Sequence, residues 1–580
     1  MSSLYPKLAA ILVILHLANL PFTAFPKSVQ KQTLTFSHTV DVGLGNFLYV
    51  LGNHPDLGAN DPVRAIRLRW TPGNIWTGQI AVEAGANIQY KFISRSGSSS
   101  THCQNSNASD ITPLQTLNVP SIPPPHYKGK IIFYHSGFDP AYILYSSNGG
   151  PWQNAQLQKI GPGRSPGEFL HRIDGIGEEG APIQFVFHNG QGVFDKPPTG
   201  EGVGAGGDYY TELDAFFVQD GQVFNYFPPP SVSPQSISGT ITITSTIPNI
   251  LSRAIRVLLP RGYNENTWRR YPVLYLHDGQ NVFHPGGVFG SWDVDITAGR
   301  LMRQGRMRET IIVAINNTSD RMSEYVPTGD TISGNPAGKG AAYAQYLIQN
   351  VKPYIDATYR TLPDNRHTGL MGSSLGGLIT TYIGWHHSAT FSLLGPLSPS
   401  YWAAPNFVNY VNNNPRPAGI RRIYTAWGTN ESDSSMWNPA WAMHARFLAK
   451  GFVVNEDLKM AIGCGAGHNE ATWAAQMPAA LPYLFNLWDE PNYLAQKHHP
   501  FAVSQFQLGS TASLTFPTLA GFVYELQRSL DLTPGSWTTI AETPQAEPLP
   551  WSSSTLTDPA PPSGPRGFYR IRVKDWPSSQ

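Results

Sequence analysis

At 580 residues the chain is too long for one compact core, and several domains are expected. Its 40 basic and 39 acidic residues leave a formal net charge of +1, which excludes the long-range field that would select nucleic acid or an anionic membrane. Charged residues are only 14%, against 55 Gly, 50 Pro, 15 Trp, 26 Tyr and 27 Phe, a balance that suits β-rich, loop-rich extracellular domains with aromatic contact surfaces.

In chain order, Met1 to Lys7 is short and carries one positive charge, and Leu8 to Ala18 is an apolar run of signal-peptide length. Residues 1–26 are therefore expected to be a signal peptide and the product to be secreted or held at a bacterial cell surface. No later run is long enough to span a membrane. Two proline clusters, Pro120 to Pro125 and Pro228 to Pro234, read as extended linkers, because proline stiffens the chain and removes donors.

The segment before the first cluster, 27–120, alternates apolar and polar residues in Phe47 to Leu51 and Ile88 to Ile93, as half-buried strands do. The runs Val50 to Gly58, Ala65 to Leu68 with Trp70 and Trp76, and Gln89 to Phe92 resemble a starch-binding module of carbohydrate-binding family 20. The resemblance implies a β-sandwich that binds an α-glucan. Sugar faces stack on exposed rings, so Trp70 and Trp76 are the candidate contacts, with core packing as the alternative for both. Where that family usually has a tryptophan after Leu57-Gly58, Ala59-Asn60 stands.

The segment 126–228 alternates in Ile131 to Tyr134 and Ile183 to Phe187. With Ile143-Leu144-Tyr145, Trp152 and Phe185 to Asp195, it resembles carbohydrate-binding families 25 and 26. That implies a second β-sandwich, with Trp152 as its candidate sugar contact. The alternative is a scaffold that only spaces the next domain.

The segment 235–491 carries the chemistry. Gly372-Ser373-Ser374-Leu375-Gly376 reads G-x-S-x-G between a strand-like run, His367 to Met371, and a helix-like run, Leu378 to Trp385. That is the context of a nucleophile elbow, in which glycines let a tight turn lift the serine above the sheet. Ser374 is the candidate nucleophile and the Leu375 N–H one candidate oxyanion donor. An acid and then a histidine should follow. Strand-like Arg422 to Trp427 leads to Glu431, with Asp433 as the second candidate, and strand-like Leu458 to Ile462 leads to His468 on a glycine-rich loop. In those roles His468 is the general base and Glu431 orients its ring. After strand-like Tyr271 to Leu276 comes His277-Asp278-Gly279-Gln280-Asn281, where Gly279 or Gln280 is the candidate second donor. Adjacent His277 and Asp278 side chains rarely converge on one ion, so neither metal nor cofactor is expected. Trp402 and Trp437 are candidates for an aromatic wall of the substrate pocket; Trp437 lies in a polar loop and reads as exposed. Arg321 and Glu324 read as a structural pair near the cleft.

These runs, with Lys352 to Thr361, Leu397 to Trp402 and Gly467 to Glu470, resemble the esterase family of α/β-hydrolases. That family includes enterochelin-esterase-like proteins and the feruloyl and acetyl xylan esterases of carbohydrate esterase family 1. The resemblance implies a mostly parallel sheet with helices on both faces and a Ser-His-acid serine esterase. The expected substrate is a feruloyl or acetyl ester on a polysaccharide or other ester-bearing polymer. The alternatives are a siderophore or polyester ester hydrolase, or a carbohydrate-binding surface protein with an inactive hydrolase domain.

The tail, 500–576, alternates in Phe522 to Gln527 and Phe568 to Val573 and is expected to be a small β module without chemistry of its own. Cys103 and Cys464 fall in different domains, so free thiols are expected, with Cys464 a small buried filler.

Overall fold

The computed structural model describes residues 31–487 apart from 106–107, 120–128 and five single positions, and parts of 505–573. The expected signal peptide and the first proline cluster lie outside the described residues. No helix among the described residues is long and apolar enough to cross a membrane.

The central segment is built on a nine-stranded sheet. Its main strands are β1 (Arg253–Leu259), β2 (Val273–Leu276), β3 (Ile311–Ile315), β4 (Thr368–Ser373), β5 (Leu393–Leu397), β6 (Arg422–Gly428) and β7 (Leu458–Gly463). They lie in the order β1-β3-β2-β4-β5-β6-β7, with the short strands Ser236–Ile237 and Ile241–Ile243 on the outer edge of β1. β1 alone runs against the rest: it pairs antiparallel with β3 and with the two short strands, while β2 to β7 pair in parallel. The strands are apolar throughout because both faces are covered. In β3, Ile311, Val313 and Ile315 enter one core with helix α2 (Leu375–His386). Ile312 and Ala314 enter the other, with α1 (Val294–Arg303) and α4 (Glu470–Leu484). Helix α3 (Asn438–Ala449) flanks β6 and β7. In a parallel sheet of this kind all the carboxyl ends meet on one edge, which is where ligands bind.

The first β module has one sheet of Lys31–Thr39, Ile75–Glu83 and Arg69–Thr71, and another centred on Asn46–Gly52 and Asn87–Ser96. The second is a sandwich of two five-stranded sheets, built around Tyr142–Ser147 with Ile183–His188 and around Lys130–Ser136 with Ala215–Gln219. The C-terminal strands do not stand alone: Leu514, Phe516, Tyr524 and Leu526 share one core with Phe133, Phe217 and Phe224 of the second module.

The first module is fused to the central segment along the flank of β7. Val454 pairs with its strand Ile75–Glu83, taking the Gln79 carbonyl at 3.1 Å and giving its own to Ala81 N at 2.9 Å. The Arg67 guanidinium lies 3.3 Å from the Phe47 ring centre and 4.4 Å from that of Trp441. Cys103 and Cys464 form a disulfide, which corrects the expectation of free thiols. Separation in sequence, 361 residues, says nothing about separation in space: docking brings the two Cα atoms to 5.8 Å, within bridging range.

Two buried histidines sit in this interface. Burial, with Arg95 and Arg67 nearby, pushes His102 down to about 4, and burial with Arg67 pushes His444 down to about 3. An unfolded histidine titrates near 6.5, so the unfolded chain takes up protons that the folded one refuses. Stability is then complete above about pH 6.5 and falls as pH drops toward 4, by about 1.4 kcal/mol per histidine per pH unit. Thermal melting at pH 7 and pH 5.5, a window above the ordinary carboxylate range, should show a lower midpoint at pH 5.5. Equal midpoints would mean that these rings are solvated and charged.

Candidate active site

Ser374 directly follows β4 with φ 59° and ψ −123°, a strained backbone for a residue with a side chain. The turn closes only because of its glycines. A Cβ on Gly372 would stand 2.7 Å from the Gly376 carbonyl carbon, and one on Gly377 2.8 Å from the Leu397 oxygen. The elbow is sewn to the loop after β5: Ser374 N donates to Leu397 O at 3.0 Å and Ser400 N to Ser374 O at 3.0 Å. Helix α2 begins at Leu375, whose N–H is one of the orphan donors of a helix start.

Glu431 stands just past β6 with its side chain fully buried. One carboxylate oxygen accepts from Ser398 Oγ at 2.7 Å and from Gly428 N at 2.8 Å; the other lies 3.0 Å from His468 Nδ1. Asp433 is exposed at the start of the turn Asp433–Trp437. His468 follows β7, a third exposed, with its ring edge-on to Trp473 at 5.2 Å. The Trp473 indole donates to Ser398 Oγ at 3.0 Å, so Ser398 links the acid to the wall behind the imidazole. The structure thus brings Glu431 and His468 together. Ser374 Oγ makes its contact with Ser400 Oγ at 3.3 Å, and among the described residues no hydrogen bond joins Ser374 to His468.

Gly279 and Gln280 open the turn Gly279–Asn281 after β2, headed by Asp278 at φ 55°. A Cβ on Gly279 would meet the β3 backbone at 2.5 Å, and one on Gly376 would stand 3.3 Å from the Asp278 carboxylate, so this turn abuts the elbow. Arg321 grips Asp278 through two hydrogen bonds of 2.7 and 2.9 Å, and Asn317 adds a third at 2.6 Å. The expected Arg321–Glu324 pair is not formed. Arg321 is drawn to Asp278, and the buried Glu324 pairs with Arg253 at 2.8 Å. His277 donates or accepts at Tyr343 OH over 2.9 Å, and full burial pushes it down to about 3, so it is a neutral packing group.

Trp402 is 46% exposed, two residues past Ser400, on the rim of this edge. Trp437 is buried, contrary to the expectation of a pocket wall. Its loop is polar in sequence, but the first module covers it, and its indole donates to Gly97 O at 2.8 Å. Trp70 is 49% exposed, its indole held by Asn74. Trp76 is core rather than contact: it packs edge-on against Phe47 and donates to Val40 O at 2.9 Å. Trp152 is 46% exposed in the second module, on the sheet that also shows Phe194 and the stacked pair Tyr142–His188. Sequence reasoning missed Ser398, Ser400 and Trp473. The only signal was the run of small and aromatic residues directly after β5 and His468.

A hydroxyl on a strained turn, an imidazole oriented by a buried carboxylate and the backbone amides of a helix start and a glycine turn are the groups that acyl transfer uses. Residues 251–485 match the family described as "Putative esterase", and residues 31–120 the family described as "Starch binding domain". Among curated proteins, an uncharacterized protein, YbbA, of Bacillus subtilis is 22% identical over 40% of this chain and 93% of its own length. An endo-1,4-beta-xylanase/feruloyl esterase of Xylanibacter ruminicola is 27% identical over 37% of this chain, but over only 27% of its own length. Among solved structures, a ferulic acid esterase is similar with a TM-score of 0.35 at 21% identity, over 44% of this chain and 98% of its own. An IroE-like serine hydrolase from Shewanella oneidensis gives 0.34 at 21% identity, over 43% and 79%.

Proposed function

We propose that this protein, a multidomain carboxylic ester hydrolase with an esterase domain and a starch-binding domain, cleaves feruloyl or acetyl esters on polysaccharide through an acyl-enzyme on Ser374. The observation that carries the reading is the buried Glu431 at 3.0 Å from His468 Nδ1, on the same sheet edge as a serine held at φ 59°. The other ring nitrogen of His468 takes the Ser374 proton as the oxygen attacks the acyl carbon. The bond between them forms as substrate seats, since catalytic hydrogen bonds are often long in the free enzyme. The oxyanion accepts from the Leu375 N–H and from that of Gly279 or Gln280. His468 then passes the proton to the leaving alcohol, and water repeats the sequence to free the acid. Glu431 keeps the proton-bearing nitrogen on its own side and balances the imidazolium.

The feruloyl reading is supported by the Xylanibacter relative, whose name includes that activity, and by Trp402, an exposed ring on the rim where an aromatic acyl group can stack. The starch-binding domain, with Trp70 exposed, supports an α-glucan as the matrix to which the enzyme is held. Secretion or display at the cell surface is supported by the disulfide, which persists in oxidising surroundings.

The test compares feruloyl and acetyl esters carried on insoluble starch with the same acyl groups on a soluble aryl alcohol. Wild type should release acid from both forms. Trp70→Ala should lower release from the starch-borne ester about tenfold and leave the soluble rate unchanged, a loss of about 1.4 kcal/mol in stacking. Equal loss on both forms, or on neither, would reject Trp70 as the matrix contact. No release of either acid would reject the substrate class.

A further inference from the structure

We propose that the Cys103–Cys464 disulfide positions the His468 loop for turnover, so that the starch-binding domain braces the active site as well as holding the matrix. This rests on the reading of His468 as the general base. The loop is Gly463-Cys464-Gly465-Ala466-Gly467-His468, with three glycines in its first five residues and Gly465 at φ 72°. Glycine gives up more conformational freedom on ordering than any other residue, so such a loop does not hold a shape by itself. Packing covers it only in part. Ala466 and Gly467 are half-buried, but Cys464, Gly465 and His468 are exposed, and among the described residues the imidazole meets Glu431 and the edge of Trp473.

On one side the loop is tied to the turn that carries the acid. Asn430 N donates to Ala466 O at 3.0 Å, Asn430 Nδ2 to Gly465 O at 3.0 Å, and Gly465 N to Thr429 Oγ1 at 2.9 Å. On the other side the disulfide is the tie, and its far end is firmly set. Cys103 follows the turn Ser99–His102, where the His102 ring is buried edge-on to Trp437 at 5.2 Å. The Arg95 guanidinium, also buried, donates to the carbonyls of His102 and Pro62. The bridge thus couples an exposed glycine-rich loop to a buried anchor in another domain. A displacement of about 1 Å at a catalytic group can lower a rate by up to about a hundredfold, so slack in this loop should appear in turnover.

The experiment uses the full chain and a soluble aryl acetate. Cys103→Ser, Cys464→Ser and the double variant should each lose at least fivefold in kcat, with KM within twofold of wild type and the double no worse than either single. Dithiothreitol should do the same to wild type. It breaks the S–S bond, supplies two electrons and two protons to make two thiols, and closes to its own disulfide; it should not affect the double variant. Melting midpoints are measured in parallel so that rates are compared on folded protein. Where a variant does not fold, the reductant arm on the native enzyme carries the test. An unchanged kcat in the double variant, even with a lowered midpoint, would make the bridge a stability element only and overturn the proposal. So would two titratable thiols in unreduced, denatured wild type. His468→Ala is run alongside: activity surviving there overturns the triad reading and this proposal with it, whereas a dead His468→Ala beside a fully active double variant overturns the brace alone.

Discussion

Ser374→Ala is expected to lower turnover of a soluble aryl ester by roughly 10⁴- to 10⁶-fold, with KM and the melting midpoint close to wild type. The variant removes one oxygen from a half-buried site and leaves the elbow intact, since the turn depends on Gly372, Gly376 and Gly377 rather than on the hydroxyl. Residual hydrolysis would come from the amides of Leu375 and the Gly279–Gln280 turn acting on bound ester. The hydroxyl that meets that of Ser374 among the described residues is Ser400 Oγ, 3.3 Å away. Ser400→Ala is therefore the control and should lose less than tenfold. If Ser374→Ala keeps its rate within tenfold while Ser400→Ala does not, the nucleophile is Ser400.

Glu431→Gln should lose about 10³- to 10⁴-fold in kcat, because an amide leaves the imidazole in the wrong tautomer. The local geometry sharpens this. One carboxylate oxygen already accepts two donors, Ser398 Oγ and Gly428 N, and the other faces His468 Nδ1. Glutamine has one oxygen. If it keeps the two donors, its NH₂ points at the ring and requires an unprotonated Nδ1. If it turns round, two buried donors face an NH₂, at about 1–3 kcal/mol in stability. Asp433→Asn should change kcat by less than twofold, since that side chain is exposed at the start of a turn. The reverse pattern, a dead Asp433→Asn and an active Glu431→Gln, would transfer the role of acid to Asp433.

The elements around Ser374 were legible because their causes are local. Glycine spacing marks a turn in which three backbone segments nearly touch. Apolar runs bounded by polar loops mark strands covered on both faces, and those strands lie within a few residues of where the patterns put them. Strand ends could be named for a candidate serine, acid and histidine because parallel strands present their carboxyl ends to one edge. What failed had distant causes. Trp437 sits in a polar loop and reads as exposed, yet its indole is satisfied by Gly97, 340 residues away. Trp70 and Trp76 occupy one hairpin, and nothing in six residues of sequence says which ring the module turns into its core. The disulfide and the Asp278–Arg321 grip belong to the same class.

The sequence by itself determined which candidate groups are present and on what kind of turn or loop each stands, because periodicity and turn chemistry act over a few residues. Only the tertiary structure decided which tryptophans face solvent, which acid meets the imidazole and that one module is bolted to the loop of another. Burial and pairing depend on surfaces that meet only after segments hundreds of residues apart have folded.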